Sequence, residues 1–398
     1  DDHGEGVKIR VDTNCEYDAN DVVITSRLSS PAPFEHWTIR EIKEQPDTIL
    51  NGLNNGGRFL NDRMVKLGGL DLCCDALSDI DNVILLGCGS SYYSAQLGAH
   101  FIKLLCRFDT VMVFDGADLT YYDIPQKGKT AFILVSQSGE TKDLHRCVEV
   151  ARERHIVTIG VVNVVDSLIA REVDCGVYCN TGVEVGVAST KSFSSQVVCL
   201  SLVAIWFSQQ QNANVQGRIG VIASLRNLSN DVAETINLVE NEVKGLALKL
   251  ATSKNMFLLG KGCDAFIAHE AALKLKEITY IHAEGASSSS LKHGPFALLD
   301  ENFPVVLLNC QEEHTLKTSN CYQEIVTRGA PVIMVTNQSC ELSKDGVASC
   351  SNIVVRNNKH FGGLLALLPL QMLAYYVAVG KGINPDTPKN LAKVVTVE

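Results

Sequence analysis

The sequence predicts an α/β protein built from two tandem copies of one unit, each a parallel sheet with helices on both faces. Three observations support this three-layer architecture: short apolar runs alternate with helix-period segments, one half of the chain resembles the other, and the chain is long and apolar. Alternating strands and helices favour a parallel sheet, because crossover helices cover both of its faces. With 398 residues and 46% hydrophobic content, each copy can bury a sizeable core.

The internal duplication has an offset of 173 residues. Residues 82–89 resemble residues 255–262, and the same offset places Ser136 on Asn309, each at the end of an apolar run. Residues 156–163 align with residues 331–337 after one inserted residue. Three strand-like runs that recur in the same order indicate tandem domains rather than a short-period repeat.

The elements of the first copy follow from its apolar periodicity. Four runs bounded by Gly, Ser or Asn predict strands at 83–86, 111–114, 131–135 and 157–162, and the segments between them predict helices at 95–105 and 142–154. We predict a linker at 1–35, where Asp-rich sequence ends in Ser and Pro, and a first domain at 36–215 that starts with a leading helix. A polar break at 209–212 precedes the second domain at 216–385, and a C-terminal tail follows at 386–398.

Composition argues against several classes of protein. The net charge of −10 disfavours a nucleic-acid surface. The 14 cysteines are scattered without a CxxC pair or a His/Cys group at ligand spacing, so we expect reduced thiols, a cytoplasmic location and no metal. We find no unbroken apolar run of about 18 residues and no signal-like start, and therefore expect a soluble protein with no membrane partner.

The most informative turn follows the strand predicted at 131–135. Ser136, Gln137, Ser138, Gly139 and Thr141 lie where a buried strand ends and a helix begins. Hydroxyl donors, a glycine that permits close approach and the N–H groups of a helix N-terminus all favour an anion. We interpret the turn as a phosphate pocket. The alternative is a cluster of N-cap residues that only starts the helix.

Two further turns carry hydroxyl groups. The turn at 87–92 contains Ser91 and begins like a dinucleotide fingerprint, but Tyr92 occupies the third glycine position, which argues against a nicotinamide or flavin cofactor. The turn at 187–192 contains Ser189. We predict that these turns and the phosphate turn converge on one sugar phosphate.

Candidate catalytic groups lie in the second half. Lys274 and Glu277 are three residues apart on one helix face, which is also the pattern of an ordinary surface ion pair. His293 lies in a Gly/Pro turn, where an imidazole can titrate near neutral pH or be a bystander. Lys393 belongs to an apolar C-terminal tail, which we expect to dock against the body of the protein and to carry the lysine with it.

Taken together, five segments resemble the isomerase half of the glutamine:fructose-6-phosphate amidotransferases. The segments are 136–141, 186–191, 272–278, 291–295 and 390–398, and His36 with residues 41–46 resembles the start of that half. The resemblance implies two sugar isomerase (SIS) folds in tandem from about residue 36 to the end. The family normally begins with a glutaminase domain whose nucleophile is an N-terminal Cys, whereas this chain begins at Asp1. We therefore expect an excised half or a stand-alone version.

The resemblance also implies a substrate and the residues that bind it. Fructose 6-phosphate would be isomerised for hexosamine synthesis, with glucosamine 6-phosphate as the amino-sugar product, by a homodimer that needs no metal or organic cofactor. The residues implied in binding the phosphate and nearby hydroxyls are Ser91, Ser136, Gln137, Ser138 and Thr141, and Val187 and Ser189 complete the sugar pocket.

The same resemblance assigns the catalytic roles. His293 would open the furanose ring, and Lys393 would form a Schiff base with the C2 ketone. Glu277 would carry a proton between C1 and C2, while Lys274 tunes that carboxylate and steadies developing negative charge.

Two departures from the family pattern affect rate more than fold. The family carries Gly-Glu where this chain has Ser289 and Ser290, and it carries Arg where this chain has Lys389, which cannot reproduce a bidentate contact. Two rival functions stay open: a SIS-type sensor that binds a hexosamine phosphate to regulate a partner, and a structural paralogue that dimerises with a complete enzyme.

Overall fold

The computed structural model describes residues 30–338 and 350–393. It contains two five-stranded sheets, both entirely parallel. The first sheet has the order β2-β1-β3-β4-β5 and the second has the order β10-β9-β8-β6-β7. The strands are β1 (Ile80–Gly87), β2 (Thr110–Asp115), β3 (Lys129–Ser136), β4 (Val157–Val162), β5 (Cys175–Tyr178), β6 (Asn255–Gly260), β7 (His282–Ser287), β8 (Val305–Asn309), β9 (Val332–Thr336) and β10 (Cys350–Val354).

Helices cover both faces of each sheet, which confirms the predicted α/β class. The helices are α1 (Trp37–Lys43), α2 (Gln45–Gly52), α3 (Gly68–Leu72), α4 (Cys74–Leu77), α5 (Ser90–Leu105), α6 (Lys142–Glu153), α7 (Leu168–Glu172), α8 (Lys191–Gln210), α9 (Val215–Leu250), α10 (Cys263–Thr279), α11 (Thr315–Val326) and α12 (Gly362–Gly380). Short 3-10 helices at 54–56, 121–123, 288–293, 295–298 and 312–314 complete the described chain.

The sheet topology confirms the internal duplication. When the second sheet is listed from β7 to β10, its order of strands matches that of the first sheet from β2 to β5. The turn after the leading strand of each copy even has the same backbone: Gly89 has φ 56° and ψ −126°, and Gly262 has φ 58° and ψ −128°. A positive φ favours glycine at both positions.

One continuous core joins the two halves. Helices α5 and α8 from the first copy pack against α10, α12 and the long α9 between the two sheets. Smaller apolar clusters lie on the outer faces of the sheets, beneath α6 in the first copy and α11 in the second. The inner helices of the two copies therefore form one shared apolar layer between the sheets.

Two described helices, α8 and α12, resemble membrane spans in length and composition, although polar residues such as Gln196 and Gln371 interrupt their apolar runs. Both helices have sufficient length and hydropathy by composition. Their most apolar windows are, however, 94% and 89% buried inside the protein. Such burial is characteristic of a core helix. Both helices belong to the apolar core that the two copies share.

The predicted domain boundaries stay predictions. The boundary placed after residue 215 coincides with the start of α9, a 36-residue helix that packs against helices of both copies. Most of the predicted linker at 1–35, and residues 394–398 of the predicted tail, lie outside the described residues.

Candidate active site

The predicted hydroxyl turns lie side by side because the strands that precede them are neighbours. Strand β1 pairs with β3, and β3 pairs with β4, all in parallel register. The turn that contains Ser91 follows β1 and the turn that begins at Ser136 follows β3, so both open at the carboxyl edge of the first sheet. Ligands of open α/β sheets bind at this edge.

The turn at 136–141 is organised by its own hydroxyl groups. Ser136 Oγ accepts a hydrogen bond from the Gly139 N–H (2.9 Å) and lies 3.3 Å from Thr141 Oγ1, while Ser138 Oγ accepts from the Glu140 N–H (3.1 Å). Thr141 is the N-cap of α6 but makes no side-chain capping bond. Thr141 therefore does not act as a side-chain cap, and the phosphate pocket stays a prediction. Gln137 is half-buried beside it.

Gly139 fixes the shape of this turn. It has φ 69°, and a Cβ there would stand 1.9 Å from the hydroxyl oxygen of Ser167. Any larger residue would push the segment at Ser167 away and open the turn.

The turn after β1 reaches into the second half of the chain. Ser91 Oγ accepts a hydrogen bond from Gln196 Nε2 of α8 (2.9 Å). The neighbouring Ser90 Oγ donates to Glu270 Oε1 (3.0 Å) and accepts from Lys274 Nζ (3.0 Å), both on α10. The turn after β1 is thereby joined to the charged face of α10.

Lys274 is the centre of a buried charge cluster. Its Nζ lies 2.5 Å from Glu277 Oε2 and 3.6 Å from Glu270 Oε1, and the Lys274 side chain is only 2% exposed. Interpreting Lys274 and Glu277 as a surface ion pair is therefore wrong. Burial alone lowers the pKa of Lys274, but the carboxylates of Glu270 and Glu277 outweigh it, with a weaker contribution from Glu184, and raise the pKa. Lys274 is therefore protonated at physiological pH.

Glu270 is a buried carboxyl group that can accept one more hydrogen bond or a proton. Its side chain is fully buried, and Oε2 has no hydrogen-bond partner among the described residues. Burial raises the pKa of Glu270 to about 7, against the opposing effect of Lys274. A carboxyl group with a pKa near neutrality can carry a proton or be ionised at physiological pH.

The C-terminal tail docks where the sugar-binding turn was predicted. Lys393 Nζ lies 2.7 Å from Glu184 Oε2 and donates to the Gly186 carbonyl oxygen, also at 2.7 Å. Ser189 Oγ donates to the same Glu184 oxygen (3.1 Å). Burial acts to raise the pKa of Glu184, but Lys393 and the N–H groups of Thr190 and Ser192 outweigh it and lower the pKa to about 2. Lys393 therefore faces a permanent anion.

Two further acids hold this loop in place. Glu41 of α1 accepts hydrogen bonds from the N–H groups of Val185 (2.5 Å) and Gly186 (3.3 Å), and burial, with help from Glu184, raises the pKa of Glu41 to about 8. The Asp386 carboxylate accepts from both Trp37 N–H and Thr38 N–H at the start of α1, and its carbonyl oxygen accepts from the Val187 N–H (3.1 Å).

His293 is not brought to this cluster within one chain. It ends the 3-10 helix at 288–293 beyond β7, its side chain is exposed, and no hydrogen bond in the described part of the protein joins it to Glu277, Lys274 or Lys393.

The two departures from the family pattern have local partners. Ser289 accepts a hydrogen bond from Lys261 Nζ (2.5 Å), and the Lys389 ammonium lies 4.4 Å from the ring centroid of Tyr280. Lys389 thus has a cation–π contact but no carboxylate partner within the part of the chain that the structure describes.

Sequence reasoning missed Glu184, Glu270 and Ser90. A signal for two of them was present: Glu270 lies one helical turn before Lys274, and Glu184 lies between two glycines just ahead of the hydroxyl turn. Ser90 adjoins the predicted Ser91, but only the fold shows that it faces α10.

The sequence profile of the SIS domain matches this chain twice, over residues 76–206 and 249–380. These two regions contain the two sheets. The chain belongs to the SIS-domain family. The resemblance stated on sequence grounds is confirmed by curated relatives at 34–41% identity and by one solved C-terminal domain, all of them named as aminotransferases that act on fructose 6-phosphate.

Three comparisons locate this SIS protein within the family. A mimivirus protein named a probable isomerizing glutamine–fructose-6-phosphate aminotransferase is 41% identical over 373 residues, which are 93% of this chain and 59% of that protein. The human isomerizing glutamine–fructose-6-phosphate aminotransferase 2 is 34% identical over 366 residues, 92% of this chain and 53% of the human protein. The C-terminal domain of the Francisella tularensis glucosamine-fructose-6-phosphate aminotransferase superposes with a TM-score of 0.83 at 28% identity, covering 90% of this chain and 100% of that domain. The chain therefore spans little more than half the length of those relatives and corresponds to their isomerase part.

Proposed function

We propose that this SIS protein binds fructose 6-phosphate and isomerises it to an aldose phosphate, or to glucosamine 6-phosphate when ammonia is supplied, through a Schiff base on Lys393. The observation that carries the proposal is the docking of Lys393 against Glu184 and Gly186, beside the loop that contains Val187 and Ser189. The Lys393 side chain is only 23% exposed there, and its counter-charge is a fully buried carboxylate. The free thiols of the described residues support a cytoplasmic location.

The geometry supports separate binding regions for the phosphate group and for the sugar. The hydroxyl turn at 136–141, with Ser91 beside it, is built for a phosphate group, since several donors and the N-terminus of α6 converge there. The sugar would then extend toward the loop at 187–189 and the charged face of α10. In this orientation the carbonyl carbon lies between the Lys393 amine and the Glu277 carboxylate.

The chemistry proceeds through four proton and bond changes. His293 opens the furanose ring by moving a proton between the ring oxygen and the C2 hydroxyl group. The unprotonated Lys393 amine adds to the C2 carbonyl and water leaves, which forms an iminium ion beside the Glu184 carboxylate. Ammonia then adds to the iminium carbon and displaces the Lys393 amine, which leaves a protonated imine of ammonia at C2. Glu277 takes a proton from C1, the electron pair moves to the imine nitrogen, and the proton returns at C2 while the C1 hydroxyl group loses its proton and becomes the aldehyde. Without ammonia, water displaces Lys393 to give the open ketose, and the same transfer of a proton from C1 to C2 through an enediol gives the aldose.

Covalent trapping tests the proposal directly. Because borohydride reduces an iminium ion to a stable amine, fructose 6-phosphate plus borohydride should leave a sugar-phosphate mass adduct on the peptide that contains Lys393. Peptide mass spectrometry is the measurement. Lys393→Ala should lose the adduct, whereas Lys389→Ala, in the same segment, should keep it. An adduct confined to Lys274 would overturn the assignment of the two lysines.

The exposed position of His293 bears on the choice between a sugar-phosphate sensor and an isomerase. A non-catalytic sensor of a sugar phosphate would not need this imidazole at the cluster. An isomerase would need it, and a two-fold dimer can supply it from the partner subunit, so that each site is composite. We favour the composite site because Lys274, Glu277 and Lys393 all occupy buried or half-buried ion pairs that a sensor has no reason to keep.

Mixed dimers distinguish these functions. His293→Ala and Glu277→Ala chains should each be inactive, yet co-refolding them should restore roughly a quarter of wild-type activity, since about half of the dimers are mixed and each has one intact site of two. The coupled assay for glucose 6-phosphate measures recovery, and native mass spectrometry counts the mixed dimers. Mixed dimers with no recovery would place His293 in the site of its own chain.

A further inference from the structure

A second cleft, outside the candidate active site, lies between the two copies. It has a volume of about 440 Å³ and is bordered by α5, the start of α9, the start of α10 and the segment before α12. Its size is that of a small-molecule site. Nothing in the proposed isomerisation uses it.

The duplication explains where this cleft lies. At the 173-residue offset, four positions of the first site have counterparts that line the second cleft. The paired residues are Ser90 with Cys263, Glu270 with Leu97, Lys274 with Phe101, and Glu277 with Leu104. The cleft is thus the second copy's version of the sugar-phosphate site, with the roles of α5 and α10 exchanged.

Its chemistry differs from that of the first site in two ways. The charged cluster on α10 is replaced on α5 by the apolar side chains of Leu97, Phe101 and Leu104. The hydroxyl turn after β3 is replaced after β8 by a turn that presents Gln311 and Glu313 to the cleft. A carboxylate in place of the hydroxyl turn repels a phosphate group, and Lys359, which also lines the cleft, balances the charge of Glu313, so the lining as a whole suits an uncharged ligand.

Two imidazoles add to the hydrogen-bonding capacity of the cleft. His100 and His360 both line it, and neither ring has a hydrogen-bond partner among the described residues. Burial lowers the pKa of both histidines, which favours neutral rings, each with one donor and one acceptor nitrogen. No group of three or more His, Cys, Asp or Glu side chains in residues 30–338 and 350–393 could hold a metal ion, so a metal does not account for the pair.

We propose that this cleft is a second ligand site that takes an uncharged hexose ring without a phosphate group. The apolar wall on α5 suits the C–H face of a sugar ring, and His100, His360 and Gln311 offer donors and acceptors for its hydroxyl groups. The site is independent of the isomerase chemistry, because it shares no residue with the first site.

Methyl β-D-glucoside is the probe of choice, since its ring cannot open and it carries no phosphate. In saturation-transfer difference NMR we expect it to bind the wild-type chain, and saturating glucose 6-phosphate should not displace it. His100→Ala with His360→Ala should weaken binding at least about fivefold, as expected from the loss of two neutral hydrogen bonds. Leu104→Trp, which fills the cleft from its rim, should abolish the signal.

The controls separate this site from the first one. Ser136→Ala and Lys393→Ala should leave glucoside binding unchanged, and so should His282→Ala, which removes an exposed imidazole elsewhere. Absence of glucoside binding to the wild-type chain would overturn the proposal, as would displacement by glucose 6-phosphate. Neither result would bear on borohydride trapping at Lys393.

Discussion

Glu277→Gln should stop exchange of the C1 hydrogen of fructose 6-phosphate with solvent deuterium while leaving sugar-phosphate binding intact. The amide keeps the size of the side chain but cannot accept a proton from C1. General base catalysis contributes about 10²- to 10⁴-fold, so the exchange rate should fall by that factor. Proton NMR in deuterium oxide follows the exchange, and titration calorimetry measures the affinity for glucose 6-phosphate.

The matched control is Glu284→Gln, an exposed carboxylate on the adjoining strand β7. With Glu284→Gln, the C1 hydrogen should exchange at the wild-type rate. Undiminished exchange in Glu277→Gln would assign the C1 proton to another base. Glu270 would then be the candidate, since its pKa is raised to about 7 and it shares Lys274 with Glu277.

Lys274→Met should cost about 3–5 kcal/mol of unfolding free energy at pH 8, because it leaves the carboxylates of Glu270 and Glu277 without their buried cation. Methionine keeps the length of the side chain, so the loss comes mainly from charge. Urea titration measures it. Lys276→Met, an exposed lysine on the same helix, should change stability by no more than about 0.5 kcal/mol.

The stability lost in Lys274→Met should depend on pH in a defined direction. The folded pKa of Glu270 is raised from 4.5 to about 7, and removal of Lys274 raises it further. A group with a raised folded pKa stabilises the protein fully below its unfolded pKa and loses that stabilisation as pH rises through the folded pKa. Lys274→Met should therefore be closest to wild type near pH 5 and fall away toward pH 8. An equal deficit at both pH values would contradict a charge-based cause.

Much of the fold could be predicted because parallel sheets leave a direct record in sequence. Buried strands appear as continuous apolar runs, and the predicted strand at 157–162 has the observed bounds of β4. The start of α5 was placed too late, at residue 95 instead of Ser90, because its first turn is polar and carries no apolar periodicity. The duplication was visible because both copies kept the same strand-ending turn.

The candidate site was predictable only in part, because side-chain partners depend on contacts between distant segments. Hydroxyl groups at the end of a strand predict an anion pocket from neighbouring residues alone. By contrast, the pairing of Lys393 with Glu184 spans 209 residues, and that of Lys274 with Ser90 spans 184. No periodicity or spacing rule encodes such pairs. The resemblance to a family supplied the roles of these lysines, and the fold supplied their counter-charges.

The hydrogen bonds of Ser90 to Glu270 and Lys274 join the hydroxyl turns of the first copy to the charged face of α10 in the second copy. Under the proposed isomerisation, the first half would supply the phosphate site and the second half the proton-transfer groups, so neither half would be a complete catalyst. The two copies of the duplicated unit would thus be complementary parts of one enzyme. A defect in one module cannot be compensated by its sister, and activity from separately expressed halves would require them to reassociate through the shared apolar core.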